Sequence, residues 1–302
     1  MELAMIGLGK MGLNMATRLV RGGHRVIGFA PHAPSVDAAV QNGAEGSRSV
    51  EEAVGKLAAP RTAWLMVPSG SVTEDTLTQV SSLLKPGDTV IDGGNSNYKD
   101  TMRHAAQLEL KGIDFVDCGT SGGIWGLDEG YSLMIGGKAQ VVERLRPIFE
   151  TLAPEKDHGW GYVGGSGSGH FVKMVHNGIE YGMMEALAEG FNIMRAKEEF
   201  GLDLARISEI WRYGSVVRSW LLYLTARVLK DDPTLAGIEP WVVDSGEGRW
   251  TVIEAINDGV PAPIISLALQ MRFASRDRQN YAARLLASMR NQFGGHAVRK
   301  AD

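Results

Sequence analysis

The chain has 302 residues, 44% apolar and 22% charged, a composition that excludes a disordered or membrane-embedded protein. Its formal net charge is -4 with no basic block, which argues against nucleic acid or an anionic membrane as partner. Cys118 is the single cysteine, so an intrachain disulfide and a Cys-rich metal site are excluded, and the histidines show no ligand spacing.

The first apolar run, 3–6, reads as a strand. It is too short for a signal sequence and lacks a basic flank, and no apolar stretch reaches membrane-span length, so a cytoplasmic location is expected. A helix is predicted over 10–21, a strand over 25–29, a helix over 50–57 and a strand over 63–67. The pattern continues as helix 73–84, strand 89–91, helix 97–110, strand 115–116, strand 133–135 and helix 141–152. Strand and helix alternating at this pace predict an α/β Rossmann-like, doubly wound, mostly parallel sheet. Beyond the glycine cluster at 159–169 the patterns are helical, over 169–199, 204–212, 220–229 and 264–289. The expected division is a dinucleotide-binding domain over 1–164 and an all-helical C-terminal domain over 165–302.

Gly7, Gly9 and Gly12 follow the first strand and open the first helix in G-x-G-x-x-G spacing, with Leu8, Lys10 and Met11 between them. The three glycines suit a tight turn, close approach to a pyrophosphate and close helix–strand packing. The helix N-terminus then offers unpaired N–H groups to the diphosphate. An ordinary tight turn is the bland alternative, and the surrounding strand–helix–strand context favours a dinucleotide. Ala30, Pro31 and His32 end the second strand where an acid would hold the ribose of NAD or an arginine the extra phosphate of NADP. Neither is present, so NAD is favoured and NADP is the alternative. Val67, Pro68 and Asn95, after the next two strands, complete the candidate cofactor set.

Two further turns carry candidate substrate groups: Asn95 in DGGNS, and Ser121, Gly122 and Gly123 in TSGG. In open α/β sheets ligands bind beyond the carboxyl ends of the strands, where these turns fall. On a helix, Lys173, His176, Asn177, Glu180 and Tyr181 share one side. An amine, an imidazole, an amide and a carboxylate together suit oxidation of a hydroxy acid; a solvated helix face is the alternative. Placement just after the glycine cluster favours the site.

GLGKMG, DGGNS, SGGIWGLDEGYSLMIGG and GHFVKMVHNGIEYG resemble the decarboxylating 6-phosphogluconate dehydrogenases, within the wider β-hydroxyacid dehydrogenase superfamily. The resemblance covers nearly the whole chain, and its length looks like the short form of that family. It implies Lys173 as the catalytic lysine and Glu180 as the catalytic acid. Asn95, His176 and Asn177 match sugar-hydroxyl contacts, Ser121 and Gly123 contacts near the carboxylate, and Tyr181 and Arg272 phosphate contacts. Arg290 and His296 match a tail that completes the site of a neighbouring subunit, implying a homodimer or homotetramer. Where the long forms carry a phosphate-binding lysine and threonine, DSGEGRW aligns Ser245 and Glu247. A glutamate beside a phosphate dianion is repulsive, so Arg249 or the tail is the expected substitute.

The implied chemistry is oxidation of a C3 hydroxyl, loss of CO2 and protonation of an enediol. A lysine serves as the base once its pKa falls from about 10.4 toward roughly 7–8. Another β-hydroxyacid dehydrogenase acting on a small unphosphorylated substrate, or a non-catalytic NAD(P)H sensor, are the competing readings. Trp211, Trp220, Leu221, Leu222, Trp241 and Trp250 could be core or interface.

Overall fold

The computed structural model describes residues 1–300, which divide into two compact units, one over Met1–Asn177 and one from Gly178 onward; the last two residues lie outside the description. In the first unit β1 (Glu2–Ile6), α1 (Lys10–Arg21), β2 (Arg25–Phe29), α2 (Ala33–Gln41) and β3 (Glu45–Gly46) form the opening half of the sheet. After α3 (Val50–Gly55), the chain continues through β4 (Thr62–Leu65), α4 (Ser71–Leu83), β5 (Thr89–Asp92), α5 (Tyr98–Glu109) and β6 (Asp114–Ser121). The short α6 (Gly126–Glu129), β7 (Ser132–Gly137), α7 (Ala139–Leu152) and β8 (Trp160–Gly164) close the sheet.

The strand order is β3-β2-β1-β4-β5-β6-β7-β8, parallel except where β7 runs antiparallel to β6. The crossover between β1 and β4 is the topological switch point, where open α/β sheets bind ligands. Period-two alternation sends Leu3 and Met5 to one face and Ala4 and Ile6 to the other. Leu3 and Met5 pack with Met15, Leu19, Trp64, Ile91 and Phe149; Ala4 and Ile6 pack with Ile27, Val54, Leu65, Val80 and Leu108. Both faces of the central strands are covered, which is why β1, β4 and β5 are rich in apolar residues.

Some elements escaped the sequence patterns. α2 is only nine residues with Pro34 in its first turn, and β3 has two residues. β6 is eight residues rather than the predicted two, because Gly119, Thr120 and Ser121 continue the ladder against β7, ending at the pair Ser121–Ser132. β8, WGYVG, carries too little apolar alternation to signal a strand.

Helix α8 (Ser168–Ala196) begins in the first unit and runs through the division into the second. The second unit adds α9 (Leu204–Trp211), α10 (Trp220–Asp231), α11 (Glu247–Asn257), α12 (Pro263–Ala274) and α13 (Tyr281–Gly294). The single helix predicted over 264–289 is corrected: it is α12 and α13, separated by 275–280. Asp277 accepts the Asn280 N–H at 2.8 Å, Asn280 takes a left-handed φ of 43°, and its side chain caps α13 through Ala283 N–H. Short polar side chains that bind nearby backbone end helices that apolar periodicity would continue. α11 was not predicted at all. Two small cores hold this unit, one around Tyr181, Ala268 and Leu269 and one around Phe191, Leu222 and Leu229. Leu222 is fully buried and Trp211 packs on the second core, whereas Trp220 and Trp241 stay half exposed. Among the described residues no helix is long and apolar enough to cross a membrane.

Candidate active site

The turn after β1 is shaped by contacts that exclude side chains. Gly7 has φ 101°, and a Cβ there would lie 2.3 Å from the Met66 carbonyl oxygen; at Gly12 it would lie 2.0 Å from the Gly7 carbonyl oxygen. At Gly9 a Cβ would meet nothing within 4 Å, so the space above it is open. Gly9 is the N-cap of α1 and has no side chain to cap it, leaving the first-turn N–H groups of Lys10 and Met11 directed outward. Leu8 buries its side chain against Gly28, so its backbone is what faces a ligand. An anion fits this cradle, which the helix dipole favours. The residues present therefore fit a dinucleotide diphosphate.

Ala30, Pro31 and His32 follow β2, with Pro31 and His32 exposed and His32 Nδ1 3.3 Å from the Ser35 hydroxyl. No carboxylate or guanidinium stands among them. Val67 and Pro68 leave β4, and the Thr73 hydroxyl donates to the Pro68 carbonyl at 2.9 Å, fixing that turn. After β5, buried Asp92 organises the next turn: it accepts from Gly94 N–H at 3.0 Å and from the Ser96 hydroxyl at 2.7 Å. Asn95 is left exposed at its tip. Ser121 ends β6, and Gly122 (φ 134°) and Gly123 (φ 54°) turn the chain in a way a side chain resists. These turns all lie at the carboxyl ends of parallel strands.

On α8, Lys173 is 7% exposed, and its amine donates to Asn177 Oδ1. His176 Nδ1 sits 3.4 Å from the amine and 3.1 Å from Asn177 Oδ1. Glu180 follows Lys173 by seven residues, which on an α-helix is about 20° round and about 10 Å along the axis. The predicted stripe is thus one helix face, and its amine, imidazole and amide form a local cluster.

Within the second unit, Tyr181 is buried and Gly248 lets α11 approach it; a Cβ at Gly248 would lie 2.4 Å from the ring. Ser245 N–H donates to the Tyr181 hydroxyl at 3.2 Å, and the Arg272 guanidinium carbon stands 3.5 Å from the ring centroid. Arg272 also donates to the Val243 carbonyl at 2.8 Å. Arg249, the expected substitute cation, is engaged by Asp244 at 2.6 Å. Arg290 and His296 are exposed on α13 and just beyond it. Two buried carboxylates, Asp92 and Asp117, were given no role from sequence, although each ends an apolar strand run, VID and FVD.

Fold and turns define a dinucleotide-binding protein of the doubly wound α/β class. The model of the NAD binding domain of 6-phosphogluconate dehydrogenase matches residues 2–163, and that of the 6-phosphogluconate dehydrogenase C-terminal domain matches 169–294. The Haloferax volcanii NAD(+)-dependent, decarboxylating 6-phosphogluconate dehydrogenase is 40% identical over 303 residues, covering 100% of both chains. The Plasmodium falciparum 6-phosphogluconate dehydrogenase, solved apo, with NADP+ and with 6-phosphogluconate, aligns at TM-score 0.84 and 27% identity over 100% of this chain and 66% of its own. A Mycobacterium tuberculosis 3-hydroxyisobutyrate dehydrogenase aligns at TM-score 0.73 and 25% identity, over 91% of this chain and 94% of its own. The chain belongs to the 6-phosphogluconate dehydrogenase family, and NAD or NADP is its cofactor.

Proposed function

We propose that the protein oxidatively decarboxylates 6-phospho-D-gluconate to ribulose 5-phosphate and CO2. The observation that carries this reading is the buried Lys173 amine, clustered with His176 and Asn177 on the helix face that also bears Glu180. A nicotinamide dinucleotide held at the Gly7–Gly12 turn would supply the hydride acceptor. Lys173 takes the proton of the C3 hydroxyl as hydride leaves C3, which becomes a ketone. The resulting β-keto acid loses C1 as CO2 because the ketone accepts the electron pair. Lys173, now an ammonium, donates to the enolate oxygen that forms. Glu180 delivers a proton to the carbon that lost CO2, which becomes C1 of the product. Asn95, His176 and Asn177 hold hydroxyls, while Ser121, Gly122 and Gly123 hold the carboxylate end. Tyr181 and Arg272 take the phosphate end.

NAD is the proposed preference, supported by the absence of an arginine or lysine among Ala30, Pro31 and His32 and by the NAD-dependence in the Haloferax relative's name. The division of labour remains the proposed one: residues 1–164 for the dinucleotide and 165–302 for substrate and assembly. α13 has no buried residue, and Tyr281, Leu285, Met289 and Phe293 form an apolar stripe along it, 45–80% exposed. We assign its cover to a second copy, placing Arg290 and His296 in the partner's site.

The likeness to the 3-hydroxyisobutyrate dehydrogenase supports a second reading, oxidation of a small unphosphorylated 3-hydroxy acid. Initial rates on 6-phosphogluconate, gluconate and 3-hydroxyisobutyrate, each with NAD and NADP, separate the two. Highest kcat/KM for 6-phosphogluconate with NAD supports the proposal; highest kcat/KM for 3-hydroxyisobutyrate overturns it.

A further inference from the structure

Asp117 lies on β6 with no exposed surface, away from the turns assigned above to substrate and cofactor. One of its carboxylate oxygens accepts the Gly167 N–H at 2.8 Å and the other the His170 N–H at 3.0 Å. These are donors at the very start of α8, whose first residue follows Gly167, a residue with no side chain to cap the helix. A strand residue thus does the capping of the helix that carries Lys173.

The strand and helix touch through glycines. A Cβ at Gly119 would lie 2.5 Å from Lys173 Cβ and 2.6 Å from the Gly169 carbonyl oxygen. At Gly169 it would meet the Met134 carbonyl oxygen at 2.4 Å and the Asp117 carboxylate at 2.9 Å, and at Gly136 the Asp117 carboxylate at 2.6 Å. Three glycines on two strands and one helix therefore leave room for a single buried carboxylate and for the Lys173 stem against β6. A second tie holds the same helical turn. The Thr101 hydroxyl lies 3.2 Å from the Asn97 carbonyl and is hydrogen-bonded to His170 Nδ1 at 2.7 Å.

We propose that Asp117 is a positioning residue for catalysis: it fixes the depth and rotation of the first turns of α8 against β6, and thereby where the Lys173 amine stands. A buried carboxyl group needs hydrogen-bond partners for its oxygens. Two backbone N–H donors, the uncapped positive end of a helix and a fully enclosed position meet that requirement. A merely stabilising cap could have been supplied by serine or threonine at the N-cap itself. Capping from the strand instead couples the helix to the sheet whose carboxyl edge binds the dinucleotide. Small displacements of a catalytic group cost about a hundredfold per ångström in rate.

The inference rests on Lys173 as the base, so its test includes Lys173→Met. Asp117→Asn keeps shape but turns an amide N–H toward one backbone donor, and Asp117→Ser, which is smaller, retains one acceptor. Each would be assayed for thermal midpoint, NAD affinity by fluorescence, kcat, KM and the isotope effect with C3-deuterated 6-phosphogluconate. Positioning predicts kcat lowered about tenfold or more in both variants. KM and NAD affinity should stay within about twofold, and the isotope effect on kcat should rise as hydride transfer becomes slower. A lowered midpoint with kcat and isotope effect unchanged in either folded variant overturns the proposal and leaves a structural cap. If Lys173→Met remains active, the assignment of the base fails instead, and the two failures are distinct.

Discussion

The Ser245 hydroxyl donates to the Glu247 carboxylate across 2.6 Å, and its oxygen lies 3.1 Å from the Tyr181 hydroxyl. With the serine proton committed to Glu247, the tyrosine proton points at the serine oxygen. Glu247 is 5% exposed and opens α11, where the helix dipole favours a negative charge. The glutamate that looked like a repulsive intruder at the phosphate end is therefore held in place by its own partners.

If the substrate phosphate binds beside Tyr181, as proposed, the carboxylate opposes it. Replacing Glu247 by Gln preserves an acceptor for Ser245 and removes that opposing charge, a gain of about 1 kcal/mol, or about fivefold in affinity. The KM for 6-phosphogluconate should fall by that factor with kcat within about twofold. An unchanged or raised KM in Glu247→Gln would show that the phosphate does not lie at this end.

Arg272 stacks over Tyr181 and binds the Val243 carbonyl, two contacts that need a planar guanidinium with several donors. Arg272→Lys keeps the charge and loses the stack. Its KM for 6-phosphogluconate should rise about tenfold or more, equivalent to about 1.4 kcal/mol, without change in the KM for NAD. Steady-state kinetics with an unaltered KM for the sugar acid would confine Arg272 to packing the ring.

If the tail acts in the neighbouring subunit, two inactive proteins should repair one another. Arg290→Ala and Lys173→Met, mixed and allowed to exchange subunits, form mixed dimers in which one site has both groups. Activity should return to about a quarter of wild type, the share of intact sites in a random mixture of dimers. No recovery, with exchange verified by mass, would place the tail in its own subunit's site or outside any site.

His24 is 8% exposed, and its Nε2 is hydrogen-bonded to the Thr151 hydroxyl at 2.8 Å. Burial holds the imidazole pKa below its ordinary value. Folding therefore favours the neutral ring: the unfolded chain binds a proton first as pH drops. The stabilisation is complete above the unfolded pKa of about 6.5 and is lost as pH falls through the folded value. Urea midpoints between pH 7.5 and pH 5 should decline in wild type and decline less steeply in His24→Gln. Parallel declines would remove His24 from the linkage.

The sheet was readable because its central strands β1, β4 and β5 are buried along nearly their whole length, and α1 and β2 begin and end where periodicity places them. The polar stripe of α8 was equally legible as one helix face, since helical spacing depends on sequence separation alone. Asp117 was not, because its meaning depends on backbone N–H groups fifty residues away, at Gly167, and fifty-three away, at His170. For Glu247 the repulsion toward a phosphate is visible in the letters, while the partners that hold the carboxylate, Ser245 and the start of α11, require the fold. The break between α12 and α13 lay hidden under a continuous apolar period, and only the side-chain bonds of Asp277 and Asn280 reveal it.

Joint quantification of NADH and released CO2 from 6-phosphogluconate labelled at C1 tests the account most directly. One CO2 per NADH, with ribulose 5-phosphate as the sugar product, is the predicted result. NADH formed without CO2, or no NADH formed at all, would contradict it.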